Sequence, residues 1–151
     1  MTLVRRVLNG PAWGMAAGGL VAAGGKEGRK AAIRAASCYG VCALAVNVVL
    51  RPLLGRRLPV ERGLAGCDVS FAAGAAQEMP AAAVPLAALA LVGHVVELRG
   101  RDRRHCLSVL AADVVGVAVA QGSNLIWPSK MAAISGPGST PRPGVVRHPG
   151  V

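Results

Sequence analysis

Aromatic and acidic side chains are scarce in this sequence. It has one Phe, one Tyr and two Trp, which leaves little for a nucleic-acid groove built on base stacking. Charged residues make up 16%, against about 25% in an ordinary soluble domain. There are four cysteines, and their spacings form no framework, so a disulfide scaffold is excluded. Disorder throughout is excluded as well, because 53% of the residues are hydrophobic and the mean hydropathy is +0.48. At 151 residues the chain is one domain in size. Two classes remain: a small Ala/Val/Leu-rich soluble helical protein, or an integral membrane protein.

Lys and Arg number 17 against 7 Asp and Glu, a net charge of +10. Such a balance points to nucleic acid or to an anionic membrane surface. The cations are clustered between apolar runs. Arg5 and Arg6 form one group, and Lys26, Arg29, Lys30 and Arg34 a second. Arg51, Arg56, Arg57 and Arg62 form a third, and Arg99, Arg101, Arg103 and Arg104 a fourth. That spacing suits loops flanking membrane spans better than a nucleic-acid face.

Along the chain, residues 9–25 are small, Gly-rich and apolar and form a weak first span. Residues 35–50 form a second, with Arg34 and Arg51 placed to snorkel at its ends. Within it Asn47 is expected to bond across to another helix. Cys38 and Cys42 share a helix face and read as small packing residues instead of a metal pair. Residues 51–68 are a polar loop. Residues 69–77 are apolar but too short to cross a bilayer, and Glu78 and Pro80 mark a turn. Residues 81–98 form a clear span containing His94, which reads equally as a functional residue or as an interfacial one. After the basic loop 99–106, residues 107–127 form the last span, with Asp113 inside and Trp127 at its end.

No alternating ten-residue strands occur, and only helices or closed barrels satisfy the backbone in lipid. The expectation is an all-α, multi-span bundle of four to five helices, one of them shortened, over residues 1–128. A disordered Pro/Gly-rich tail follows over 129–151. With 69–77 counted as a crossing, loops 51–68 and 99–106 share one side. Arginines gathered there suit a phosphate, although ordinary loop arginines also meet lipid headgroups.

The stretch GGKEGRKAAIRAASCYGVCALAVNVVLRPLLGRRLP resembles the type-2 phosphatidic acid phosphatase family, in particular its small actinobacterial-type membrane members. The likeness covers roughly residues 20–120 and rests on the layout and one partial motif. That family's first motif, K-x6-R-P, supplies cations for phosphate. Here Arg51 stands in for the Lys and Leu58 replaces the Arg before Pro59, with Arg56 and Arg57 adjacent. The second motif, P-S-G-H, supplies donors and an acid for the leaving group. At Ser70–Ala75 only Gly74 matches, or else the segment is deleted; neither alignment supplies a His.

The third motif, S-R-x5-H-x3-D, holds a nucleophilic His and the Asp that orients it. One register aligns Arg103, Val109 and Asp113 with its Arg, His and Asp, without the nucleophile. The other keeps Arg99 and His105, but Asp113 then lies eight residues on. Eight helical residues span about 12 Å, too far for a hydrogen bond.

The resemblance therefore implies a multi-pass protein of the cell membrane with impaired catalysis, because the acid is missing and the nucleophile misplaced or missing. Its catalytic remnants are His105 and Asp113. Arg51, Arg99 and Arg103 would bind a phosphorylated lipid or polyprenyl phosphate. No metal set or cofactor motif is read. Two alternatives stand beside it: an active lipid phosphatase using His105, and a soluble, basic, helical nucleic-acid-binding protein.

Overall fold

A computed structural model describes residues 11–54, 66–99 and 103–128. Among them the fold is all-α and contains no strand. Helix α1 spans Pro11–Leu44 and runs through a π-helical turn, Ala45–Leu50, into Arg51–Leu54. Helix α2 is Cys67–Glu78. A 3-10 turn, Pro80–Ala82, opens α3, Ala83–Leu98. Helix α4 is Arg103–Ile126.

Three of these stretches are long and apolar enough to cross a membrane: Pro11–Leu53, Pro80–Leu98 and Arg103–Ile126, with mean hydropathies of 1.7, 1.9 and 1.6. At twelve residues α2 is too short, reaching about 18 Å where a bilayer core is about 30 Å. The predicted spans 81–98 and 107–127 and the turn at Glu78 and Pro80 match these elements closely, whereas the predicted spans 9–25 and 35–50 fall on the single stretch Pro11–Leu53. The tail 129–151 and the motif residues Arg56, Arg57, Leu58 and Pro59 lie outside the described residues.

Helix α1 is not one straight rod. Gly25 has φ 53 and ψ −126, a conformation open in practice to glycine alone. The Trp13 ring lies 5.1 Å from that of Phe71, and the Tyr39 ring 6.4 Å from it. On a straight helix Trp13 and Tyr39 would be about 39 Å apart. The chain therefore folds back at Gly25 into two antiparallel arms. They pack so closely that a Cβ on Gly28 would collide with the Leu20 carbonyl.

This corrects one sequence expectation: the cationic cluster Lys26, Arg29, Lys30 and Arg34, whose spacing suited a loop between spans, lies on helix, and the reversal is confined to Gly25. Alanine and lysine favour helix, so a single glycine suffices to turn the chain. Counting both arms gives five helical segments among the described residues, the second arm carrying residues 35–50.

Helix α2 sits at the centre. It runs antiparallel to the second arm of α1, with Glu78 beside Arg34 and Phe71 beside Tyr39. It runs parallel to α4, with Gly66 against Ala112 and Gln77 against Ala120. Small residues permit these approaches. A Cβ on Gly74 would stand 3.3 Å from the Ala35 Cα, and one on Gly116 would collide with the Gly66 carbonyl.

The core is accordingly Ala31, Ala35, Ala75, Phe71 and Leu86 around Trp13, with Cys42, Val46, Cys67 and Ala112 forming a second cluster. Larger apolar side chains point outward, including Val84 at 78% exposure and Val114 at 70%. Small residues inside and large apolar ones outside is the pattern expected where the surrounding solvent is itself apolar.

Because Gly66 is level with Ala112, α4 extends nine residues, or about 14 Å, past the start of α2. The C-terminal ends of α1 and α3 and the start of α4 occupy that end. The Gly25 reversal and the Met79 turn occupy the other, where a Cβ on Gly24 would meet the Met79 sulfur.

Candidate functional site

Two polar clusters lie within this apolar frame. The first joins Asp68 of α2, His94 of α3 and Asp113 of α4. Gly66, in the left-handed region at φ 79, precedes α2, and Asp68 follows in its first turn, where a carboxylate suits the positive end of the helix. Asp68 Oδ1 accepts the Val69 N–H at 2.9 Å. Its Oδ2 is 3.2 Å from His94 Nδ1.

His94 Nδ1 also lies 2.9 Å from the Ala90 carbonyl. A carbonyl only accepts, so Nδ1 carries a proton and donates it there. His94 Nε2 faces both oxygens of Asp113, at 2.8 and 2.9 Å. The three side chains are 14–19% exposed. His94 and Asp113 line a largely apolar cavity of about 430 Å³ with Ala72, Ala76, Ala87 and Leu91. Each of the three residues offers a ligand atom within 4.8 Å of the others.

The second cluster lies at the opposite end. Arg34 is 1% exposed. Its Nη1 donates to Glu78 Oε1 at 2.6 Å, and its Nη2 to Asn124 Oδ1 at 2.6 Å and to the Ser123 hydroxyl at 3.1 Å. Gln77 Nε2 donates to the Ala120 carbonyl at 3.0 Å. The expected snorkelling of Arg34 is thus replaced by burial, because Glu78 arrives from α2 to pair with it.

Asn47 also differs from expectation. Its amide donates to the Ala43 carbonyl of its own helix at 2.8 Å, beside the π-helical turn, and not to another helix. Cys38 and Cys42 are buried free thiols, packed as the sequence reading has them.

The predicted catalytic pair is not brought together. His105 is buried two residues into α4, with its carbonyl accepting the Ser108 hydroxyl at 2.7 Å. Asp113 lies eight residues on along the same uninterrupted helix, about 12 Å away. Its carboxylate meets His94 instead. In the other register, Val109 fills the place of the motif His and is 2% exposed.

Arg51 is half-buried at the far end of α1; Arg99 and Arg103 are exposed at the end of α3 and the start of α4. All three belong to the same end of the bundle. Sequence reasoning missed Asp68 as a partner of His94. The available signal was an acidic residue heading the shortened apolar segment in a chain with so few acids. No family model matches this chain, and neither does any curated protein or solved structure.

Proposed function

We propose that this is a multi-pass membrane protein of the lipid-phosphatase type that binds a phosphorylated lipid headgroup without hydrolysing it. One observation carries the reading: the Asp113 carboxylate engages His94 while His105 stands eight residues away on an unbroken helix. Displacement at phosphorus by a histidine needs an oriented lone pair and an acid for the leaving oxygen. Lack of positioned acid–base help alone costs about 10²–10⁴ in rate. Binding makes no such demand. Arg51, Arg99 and Arg103 share one end, and arginine suits phosphate through its fork of donors. Near an anionic headgroup each contributes about 1 kcal/mol.

Phosphate release from phosphatidic acid and from a polyprenyl pyrophosphate tests the reading, with detergent-purified protein beside its His105→Ala variant. Release at buffer level from both supports it. Release that vanishes in the variant overturns it and makes the chain a working phosphatase with a rearranged third motif. Binding is read separately, by titrating fluorescent phosphatidic acid into wild type and Arg99→Ala/Arg103→Ala. The double variant should bind at least about tenfold more weakly.

A further inference from the structure

We propose that Asp68, His94 and Asp113 form a binding site for a divalent first-row metal ion, with the His94 imidazole and the two carboxylates as ligands. The site shares the His94–Asp113 contact with the phosphate reading, but it needs no phosphate ligand and is tested by metal binding alone. Its three residues come from three helices, separated in sequence, and converge where α2 begins.

The tautomer of His94 is the first argument. Metal-binding histidines characteristically give their other ring N–H to a carbonyl or carboxylate, which fixes the ring and leaves the ligating nitrogen free. Here Nδ1–H is directed to the Ala90 carbonyl at 2.9 Å, with Asp68 Oδ2 at 3.2 Å. That leaves Nε2 facing both Asp113 oxygens at 2.8 and 2.9 Å. Ligand atoms about 2.1 Å from a metal and about 90° apart are separated by about 3 Å. An ion therefore replaces the proton on Nε2 beside Asp113 with small movements of those two side chains, and Asp68, whose Oδ2 now faces Nδ1 at 3.2 Å, swings past the ring edge to join it.

Charge is the second argument. Without an ion, two carboxylates enclose one imidazolium, leaving a net negative charge against an apolar cavity of about 430 Å³. Burying an unbalanced charge is costly. A divalent ion on two carboxylates and a neutral imidazole gives a balanced site. The donor set selects the ion: one imidazole and two carboxylates suit Zn²⁺ or Mn²⁺, whereas Mg²⁺ and Ca²⁺ take oxygen ligands. Of the three ligands, His94 and Asp113 line the cavity, so the remaining coordination positions are reached from it.

The test is titration of Mn²⁺ and, separately, Zn²⁺ into detergent-purified, chelator-stripped full-length protein. Mn²⁺ is included because the thiols of Cys42 and Cys67 compete for Zn²⁺ but poorly for Mn²⁺. Saturable binding of one ion per chain is expected, with a raised melting temperature. Asp68→Asn and Asp113→Asn keep the shape of the cluster and should each bind at least about tenfold more weakly, while His105→Ala binds as wild type does.

Absence of saturable binding, or Asn variants within twofold of wild type, would overturn the proposal and leave an ion-paired triad. If the Asn variants do not fold, the wild type and His105→Ala decide. Nitrogen coupling from one imidazole in the electron spin echo of bound Mn²⁺, kept in His105→Ala, supports the site. Its absence, or its loss in that variant, sinks it.

Discussion

Arg34 and Glu78 meet at 2.6 Å across 44 residues of sequence, with side chains only 1% and 7% exposed. A pair buried this completely is sensitive to the loss of one partner, because the survivor keeps its charge without compensation. Glu78→Gln should therefore destabilise the bundle by about 3–5 kcal/mol. Arg34→Met combined with Glu78→Gln should cost less than the sum of the single changes. Thermal unfolding of all three variants in one detergent, followed by circular dichroism, reads the cycle.

The crossing of α2 and α4 makes a paired prediction about glycine. A Cβ on Gly116 would collide with the Gly66 carbonyl, whereas one on Gly122 meets nothing within 4 Å. Gly116→Ala should cost about 1–3 kcal/mol through overpacking. Gly122→Ala should be neutral or stabilising by up to about 1 kcal/mol, since alanine favours helix. Melting temperatures that fall equally for both would contradict this packing.

Gly25 makes the sharp reversal within α1. Gly25→Ala places a Cβ in a conformation costing about 1–3 kcal/mol. The first arm should loosen from α2, moving Trp13 out of contact with Phe71. A red shift of tryptophan emission in Gly25→Ala, measured in a Trp127→Phe background, would report it. Unchanged emission would show that the arm stays docked.

Val109 lies one helical turn before Asp113, where the resemblance to the phosphatase family would place a nucleophile. Val109→His should nevertheless release no phosphate, because the Asp113 carboxylate is already held by His94. The variant should also lose about 1–3 kcal/mol of stability by burying a polar ring without a partner. Phosphate release above that of wild type would mean that Asp113 can exchange one histidine for the other.

The helices were legible in the sequence because hydropathy and turn residues mark them locally. The apolar run 81–98 and the pair Glu78 and Pro80 needed no partner to be read. The shortness of the run 69–77 was equally plain. What escaped depends on contacts between distant residues. Arg34 looks like a flanking cation until Glu78 is set against it. Asp68 looks like a loop acid until α2 and α3 bring it to His94. The reversal at Gly25 was hidden because residues 9–25 hold several glycines of the same local appearance. His94 and Asp113 were each singled out, but linear spacing tied Asp113 to His105, since a motif is read along one helix and a cluster across three.

The shortness of α2 has an electrical consequence. It sets Asp68, His94 and Asp113 well below the end of α4, so in a bilayer they stand roughly a third to a half of the way through a hydrocarbon layer of about 30 Å. Moving one elementary charge across the whole layer exchanges about 2.3 kcal/mol per 100 mV. A divalent ion passing between the nearer aqueous phase and the cluster would exchange about 2 kcal/mol at that voltage, roughly thirtyfold in occupancy. Across an energised membrane the potential would then help to decide whether the proposed site is filled, and its sign from which side filling is favoured.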